Sequence, residues 1–402
     1  MSTSYSSNID NRIISHPKIQ LGIIFLYLIF DRTINLPVHN ISFFSTLYLW
    51  LPRFFIIIYF FRFLNIKETK YVQFIIIFLL LYLFELLIPT VFFGSVPWYF
   101  TRNLPVVGLS LFLIVECRDL YRTKNLIHSI SCLYFILASI NLFLMIVTPN
   151  LFGVGEGGAK YLIGNENGVG FALLLGFMFN YLNGVFNNYK KLFWVYTIIY
   201  VFTVVINFSG SAIVALFIML LFLYVPPINN YLEKRKHTFL LLLYAFIFVI
   251  ITLYQTDIFQ ENSTLSYIIN NILGNDNTFA GRTYIWEVVI SKIHQRPLLG
   301  SGIQTSLSSF IVYGVNSWDE HMSHNQILQI IYEGGVISLA ILSSFIIKVG
   351  IISDNCPNLK MSHFFKIIVF GLFLMFLMEC VGVQILFCVI IMSLMSYTYT
   401  NQ

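Results

Sequence analysis

The sequence predicts an all-α integral membrane protein that crosses the membrane many times. Of its 402 residues, 58% are hydrophobic and 10% are charged, a balance that soluble globular domains do not have. The apolar residues fall in about twelve stretches, each close to the roughly 20 residues that a helix needs to span the hydrocarbon core. We therefore expect a polytopic bundle, a single transmembrane domain over residues 1–402, with one large external loop.

Nine of the expected spans precede this loop and three follow it. Their centres lie near residues 25, 52, 82, 107, 137, 172, 199, 217, 246, 338, 371 and 389. The first span, Ile19–Phe30, lacks the charged flank and cleavage site of a secretory signal, so a retained anchor is expected. The last two spans lie close together and form either a hairpin or one broken helix. Residues 255–323 form the large loop, between the ninth and tenth spans.

The positions of the cations predict the orientation of the bundle. With a cytoplasmic N-terminus, sixteen of the 23 Lys and Arg residues fall on the inner side, where short loops retain positive charge. Both termini are then cytoplasmic, and residues 255–323 face outward. The formal net charge of +5 follows from this topology and does not indicate nucleic acid. The five cysteines lie in apolar segments or on the inner side, so a disulfide framework is not expected.

Polar and charged residues concentrate between residues 281 and 338. Arg282 and Trp286 are four residues apart and would share one face of a helix. An arginine fork suits phosphate, although an arginine that anchors an interfacial helix is an equal alternative. The apolar spacing from Thr283 to His294 predicts a short helix lying on the membrane surface. Pro297 would end it.

The span that follows the loop carries an unusual polar stripe. Asn325, Gln329 and Glu333 recur at i, i+4 and i+8, so they share one helix face. Polar side chains are costly in lipid, so this face should point into the bundle or a wet cavity. His324 stands just before the helix. The stripe is either a helix cap with a structural hydrogen-bond network, or part of a functional site.

Two further patterns in the loop do not require a functional explanation. Gly300-Ser301-Gly302 predicts a tight turn; the alternative is a backbone approach to an anion, but the Gly-Lys-Ser/Thr of a nucleotide loop is missing. The acids and histidines between residues 319 and 324 match no strong metal motif. No metal and no cofactor are expected.

The order of motifs in this stretch resembles a known family. GR-xxx-W at 281–286, P-xx-GSG at 297–302 and HN-xx-LQ-xxx-EGG-xx-S at 324–338 are similar to the O-antigen ligase and polymerase superfamily of bacterial membrane glycosyltransferases. The resemblance implies a GT-C-like helical fold and a polyprenyl-diphosphate-linked glycan as donor. It also implies residence in the bacterial inner (cytoplasmic) membrane and no metal.

The resemblance also suggests roles for individual side chains. It implies a catalytic set of His324, Arg282 and Glu333, in which His324 deprotonates or orients a sugar hydroxyl, Arg282 contacts the diphosphate and Glu333 holds the histidine region. The expected substrate-binding residues are Arg102, Arg296, Asn325, Asn165, Glu166, Ser209 and Trp286.

Two of these positions lie earlier in the chain, and one marks a departure from the family. Asn165 and Glu166 belong to a turn that resembles the family's Asn-rich turn, or simply begin a helix with Asn as its cap. Ser209 lies where the family usually carries a Ser-rich turn followed by an arginine. Here Ser211 and Ala212 occupy the basic position, so Arg102 becomes the candidate substitute.

The expected function is therefore the polymerisation of lipid-linked repeat units into O-antigen, capsule or a related surface polysaccharide. The expected partners are the lipid-linked glycan, membrane lipid and a chain-length regulator protein. An O-antigen ligase that transfers glycan to lipid A-core is the alternative within the class. A polysaccharide flippase or exporter, with about twelve spans and intramembrane charges, and a non-catalytic assembly subunit are the alternatives outside it.

Overall fold

The structure, a computed structural model, describes residues 56–64, 70–149, 151–152, 154–155, 158–164, 168–253, 282–304, 323–380 and 383–399. These residues form a bundle of helices and one minimal strand pair. The helices are α1 (56–63), α2 (Lys70–Phe93), α3 (Val96–Glu116), α4 (Leu120–Val147), α5 (Val169–Phe186), α6 (Lys190–Ile206), α7 (Gly210–Tyr224), α8 (Pro226–Glu233), α9 (His237–Leu253), α10 (Arg282–Gln295), α11 (Gln326–Asp354), α12 (Leu359–Phe376) and α13 (Gln384–Tyr399). Strands β1 (Val154–Gly155) and β2 (Gly158–Ala159) pair antiparallel.

The helices confirm the prediction of a polytopic all-α membrane protein. Among the described residues, six helices are long and apolar enough to cross a membrane, and α7 with α8, bent by 84°, would make a seventh. Ten of the twelve expected span centres fall on described helices, while those near residues 25 and 52 lie outside the described residues. The stretches near residues 371 and 389 are two separate helices, α12 and α13.

Short connections make the helices alternate in direction, so the bundle has two distinct ends. At one end, the start of α9 meets the end of α11, where Nδ1 of His237 lies 2.8 Å from Asp354. We call it the basic end because described cations in the short connections and in the helix turns next to them gather there. They are Arg118, Arg122, Lys124, Lys190, Lys191, Lys234, Arg235, Lys236, Lys360 and Lys366. At the opposite end, the site end, α3, α5, α7, α11 and α13 begin.

Helices α5 and α12 occupy the centre of the bundle and are buried along most of their length. Two tyrosines of α6 fix it against α5, because Tyr196 donates to the carbonyl of Leu173 at 3.0 Å and Tyr200 to that of Gly170 at 2.8 Å. Large apolar side chains such as Phe84 remain exposed on the outer surface. An outward-facing apolar surface is what a lipid environment requires.

Helix α11 is broken at Gly335, whose φ of 66° and ψ of −168° are not helical. A break inside a span frees backbone groups that must find new partners. The freed carbonyls of Tyr332 and Glu333 accept hydrogen bonds from the amides of Ser301 at 2.7 Å and Gly302 at 2.8 Å. The break is therefore completed by a segment from the loop before the helix, residues 297–303, which we call the strap.

The strap also satisfies the amides on the other side of the break. Val336 donates to the carbonyl of Pro297 at 2.9 Å, and Ile337 donates to that of Leu298 at 3.3 Å. A Cβ atom at Gly335 would lie 2.0 Å from the oxygen of Leu298. Only glycine allows both this approach and the positive φ. The strap thus holds the first half of α11 in place, and that half carries the polar stripe.

Candidate functional site

The helix predicted between Thr283 and His294 exists as α10, and it is seated on α11. Its apolar side chains Ile285, Trp286 and Val289 are buried against Leu328 and Tyr332. The pattern predicted a helix on the membrane surface, and its apolar face contacts protein in the structure. This packing fixes the start of α10, and with it Arg282, beside the start of α11.

The turn that leads into α11 is held by hydrogen bonds on both sides of His324. The indole of Trp286 donates to the carbonyl of Ser323 at 2.9 Å, and the Ser323 hydroxyl donates to the carbonyl of Asn325 at 2.7 Å. Between them His324 has a φ of 50°, a left-handed conformation that few side chains other than Gly, Asn and Asp adopt readily. Trp286 is 1% exposed, so a buried side chain holds this turn in place through its hydrogen bond to Ser323.

Asn325 forms the helix cap that the sequence allowed for. Its side-chain oxygen accepts from the amides of Ile327 at 3.0 Å and Leu328 at 3.1 Å, the usual geometry of an N-cap. Its amide group donates to the carbonyl of Leu377 at 3.2 Å. The cap is therefore Asn325, which leaves the neighbouring His324 side chain available for a different contact.

That contact is with Glu379, a residue that the sequence analysis missed. One carboxylate oxygen of Glu379 pairs with Nη2 of Arg282, and the other lies 3.3 Å from Nδ1 of His324. The two candidate residues are thus joined by one buried acid from the turn after α12. A signal was present, because Glu379 is the sole charged residue after Lys366, but nothing in the spacing linked it to His324.

The polar stripe points into the bundle as predicted, and its side chains Gln329 and Glu333 are hydrogen-bonded to each other. The amide of Ser323 donates to the side-chain oxygen of Gln329 at 2.9 Å. Gln329 donates in turn to Oε1 of Glu333 at 2.5 Å. Both oxygens of Glu333 are paired with the guanidinium of Arg102 on α3, and the Nη2 to Oε2 distance is 3.0 Å. Glu333 thus reaches the His324 turn through Gln329.

The glycine-rich motif of the strap is a structural turn. Gly300 and Gly302 have φ values of 71° and 72°. The amide of Gly300 donates to the carbonyl of Arg296 at 3.0 Å, and those of Ser301 and Gly302 close the break in α11. Because all three amides are bonded to protein carbonyls, the tight-turn interpretation is confirmed and the anion alternative is wrong.

The remaining predicted residues are not joined to this cluster by a hydrogen bond within the described parts of the chain. Arg296 is exposed, and its guanidinium lies 3.7 Å from the ring centre of Phe93. Ser209 is the N-cap residue just before α7, and its buried hydroxyl has no hydrogen-bond partner in the described ranges. Asn165 and Glu166 lie outside the described residues.

The cluster combines two cations, two acids and an imidazole. Arg282 and Arg102 are each paired with a buried carboxylate, Glu379 and Glu333 respectively. His324 is positioned by Glu379, and a neutral imidazole can accept a proton on its other ring nitrogen. Within the ranges that the structure describes, no three His, Cys, Asp or Glu side chains come together as a metal site. In this arrangement, His324 can accept a proton in the same cluster as two arginines that can bind an anion.

Part of the chain is similar to a known protein family. Residues 195–343 match the family described as O-antigen ligase. This segment runs from α6 through the break in α11 and includes Arg282, His324 and Glu333, while Arg102 and Glu379 lie outside it. No curated protein matches the chain. The family implies a glycosyltransferase-like or ligase activity in surface polysaccharide synthesis. The match over residues 195–343 confirms that this membrane protein resembles the O-antigen ligase and polymerase superfamily.

Proposed function

We propose that this protein is a polymerase that joins lipid-linked oligosaccharide repeat units into O-antigen, capsule or a related surface polysaccharide. The donor is a glycan on polyprenyl diphosphate, and the acceptor is a sugar hydroxyl of a second lipid-linked unit. The contact of Glu379 with both His324 and Arg282 is the observation that carries the proposal. Transfer from a diphosphate to a hydroxyl needs a proton acceptor and a cation close together.

The reaction forms a bond between the acceptor oxygen and the anomeric carbon. It breaks the bond between that carbon and the diphosphate oxygen, which departs with the electron pair. Since Nδ1 of His324 faces Glu379 at 3.3 Å, Nδ1 carries the hydrogen and Nε2 accepts the proton of the acceptor hydroxyl. Glu379 then stabilises the imidazolium, as a carboxylate does beside a catalytic histidine.

Arg282 and Arg102 neutralise the departing lipid diphosphate. An arginine fork donates two parallel charge-assisted hydrogen bonds to a phosphate, and charge stabilisation at the leaving group is worth more in a site that excludes water. The family usually carries an arginine where this chain has Ser211 and Ala212. Arg102 provides the second cation in place of that arginine. The diphosphate bond supplies the energy, so the reaction uses no nucleotide.

The proposed orientation puts the basic end in the cytoplasm and the site end outside. Cations of short loops stay on the cytoplasmic side, which supports cytoplasmic termini and an outward-facing loop at residues 255–323. The protein would lie in the bacterial inner membrane, with membrane lipid around it. A chain-length regulator is the proposed protein partner.

Cysteine labelling tests this orientation. Single cysteines at Asn262 and Ser309 should react with a membrane-impermeant thiol reagent on intact spheroplasts, because both positions lie in the loop proposed to face outward. A cysteine at Lys236, which is exposed at the basic end, is the matched control and should react only after lysis. Labelling is compared with that of the unsubstituted protein, which carries five cysteines. The reverse pattern would overturn the orientation.

The family's description favours a ligase as the second candidate, and reconstitution separates the two. Purified protein in liposomes, with lipid-linked repeat units as the only glycan and without nucleotide or divalent cations, should produce a ladder of longer lipid-linked glycans. Polymerisation needs no other acceptor. The ladder is read on a gel after mild acid release.

A ligase would give a different result in the same liposomes. It should leave lipid-linked units unextended and should transfer them when lipid A-core is added. That outcome contradicts the polymerase assignment and supports the alternative. If neither product forms while the protein is correctly inserted and monodisperse, glycosyl transfer itself is contradicted.

A further inference from the structure

We infer that Arg102 is an exchange residue: it is held by Glu333 before the diphosphate binds, moves to the diphosphate, and is reclaimed by Glu333 when the product leaves. This inference rests on the proposed function and adds a mechanism for product release. It assigns Glu333 a role as an anion that competes with the substrate. The sequence analysis placed Glu333 in the catalytic set, as the residue that holds the histidine region.

The first observation is that Glu333 occupies the terminal edge of the Arg102 guanidinium, formed by Nη1 and Nη2. Nη1 pairs with Oε1 and Nη2 with Oε2, the latter at 3.0 Å. This two-point geometry is the same one that a phosphate uses on arginine. Because this terminal guanidinium edge cannot serve both anions, a diphosphate must displace the carboxylate to gain a bidentate contact through the two Nη atoms of Arg102.

The second observation identifies the partner that moves. The side chain of Glu333 is 4% exposed and belongs to the strapped half of α11, whereas that of Arg102 is 32% exposed. Arg102 also lies in the second turn of α3, at the site end. A long, partly exposed arginine side chain can rotate, while a buried carboxylate on a fixed helix cannot follow it.

The third observation is that Glu333 has a second hydrogen-bond partner, Gln329, which remains in contact with it when Arg102 moves away. Gln329 donates to Oε1 of Glu333 at 2.5 Å. The orientation of the Gln329 amide is set by the amide of Ser323, which donates to its oxygen at 2.9 Å. An ionised carboxylate left alone in a buried site would be very costly. Gln329 lowers that cost, so departure of Arg102 becomes reversible.

A competing carboxylate has a consequence for turnover. A site with two unpaired arginines would bind the lipid diphosphate product tightly and release it slowly. Recapture of Arg102 by Glu333 removes one bidentate contact from the product and so speeds its release. The same competition weakens binding of any free diphosphate, which is the measurable consequence.

Binding of inorganic pyrophosphate to the purified protein in detergent tests the exchange. By isothermal titration calorimetry, Glu333→Gln should bind pyrophosphate at least about tenfold more tightly than wild type, since a charge-assisted competitor has been removed. Arg102→Gln should bind more weakly. In the double variant the gain should disappear, because it requires the freed arginine. Gel filtration checks that each variant is monodisperse.

The matched control is an Arg–Glu pair with a buried acid that lies outside the cluster, at the basic end. Arg62 lies 3.2 Å from Glu116, with side-chain exposures of 16% and 0%, and Glu116→Gln should leave pyrophosphate affinity unchanged. If Glu333→Gln does not purify, Glu333→Asp draws the carboxylate back from Arg102 while keeping its charge, and a smaller gain in the same direction is expected.

Three outcomes would overturn the exchange. They are unchanged or weaker binding by the Glu333 variants, a gain that persists without Arg102, and no pyrophosphate binding by wild type. The liposome ladder judges the proposed function separately. A protein that polymerises but shows one of these three outcomes contradicts the exchange alone, whereas the expected affinities without polymerisation contradict the polymerase.

Discussion

A His324→Gln variant is expected to extend glycan chains about 10²–10⁴-fold more slowly than the wild type, the range that base catalysis contributes. Glutamine can still form a hydrogen bond with Glu379 but cannot accept a proton at neutral pH. Single lipid-linked repeat units should therefore accumulate while the protein inserts normally. The measurement is glycan chain length on a gel, beside an immunoblot for the protein.

The backbone at His324 provides a second variant and a sharper control. Because φ is 50° there and asparagine tolerates that region, His324→Asn keeps the turn, removes the base and should show the same loss. His294→Gln is the matched control, since this exposed histidine lies on α10 and its ring contacts the Ile290 carbonyl at 2.9 Å. Near-normal long chains from either His324 variant would reduce His324 to a structural residue and contradict the mechanism.

Arg282→Lys should lower activity by about 10²-fold although it keeps the positive charge, a loss typical of removing one donor aimed at developing charge. Lysine can still pair with Glu379, so the cluster should stay assembled, but it cannot grip a phosphate with two parallel donors. The rate of ladder formation in liposomes, at equal protein content, measures the effect.

Arg296→Lys is the matched comparison for Arg282→Lys. Arg296 is exposed and stacked over Phe93, and a lysine retains part of a cation–π contact. Its effect should be much milder than that of Arg282→Lys. Equal losses in the two variants, or normal polymerisation by Arg282→Lys, would remove Arg282 from the diphosphate site.

The sequence by itself determined the helical elements and the faces they bury. Span length and apolar composition depend on residues that are close in the chain, so the helices from α2 to α13, except the short α8, could be located from local patterns. The same holds for the stripe of Asn325, Gln329 and Glu333, whose inward orientation follows from helix periodicity and the cost of polar groups in lipid.

The sequence also predicted the end of α10 near Pro297 and a turn at Gly300 to Gly302. Proline and glycine act on their own backbone, so their effects are readable without knowing the fold. The sequence did not show which contacts the turn at these glycines makes. The strap bonds to carbonyls and amides on both sides of Gly335. The pair Gly334-Gly335 was a local signal for a break in α11, but the sequence analysis predicted an uninterrupted span there.

The tertiary structure alone decided the partners within the site. Arg102 and Glu333 are separated by 231 residues, Arg282 and Glu379 by 97, and His324 and Glu379 by 55. Which buried acid meets which cation depends on how α3, α10, α11 and the turn after α12 pack, and this is a property of many simultaneous apolar contacts. A single sequence records the cations and the acids, but only the packed bundle pairs them.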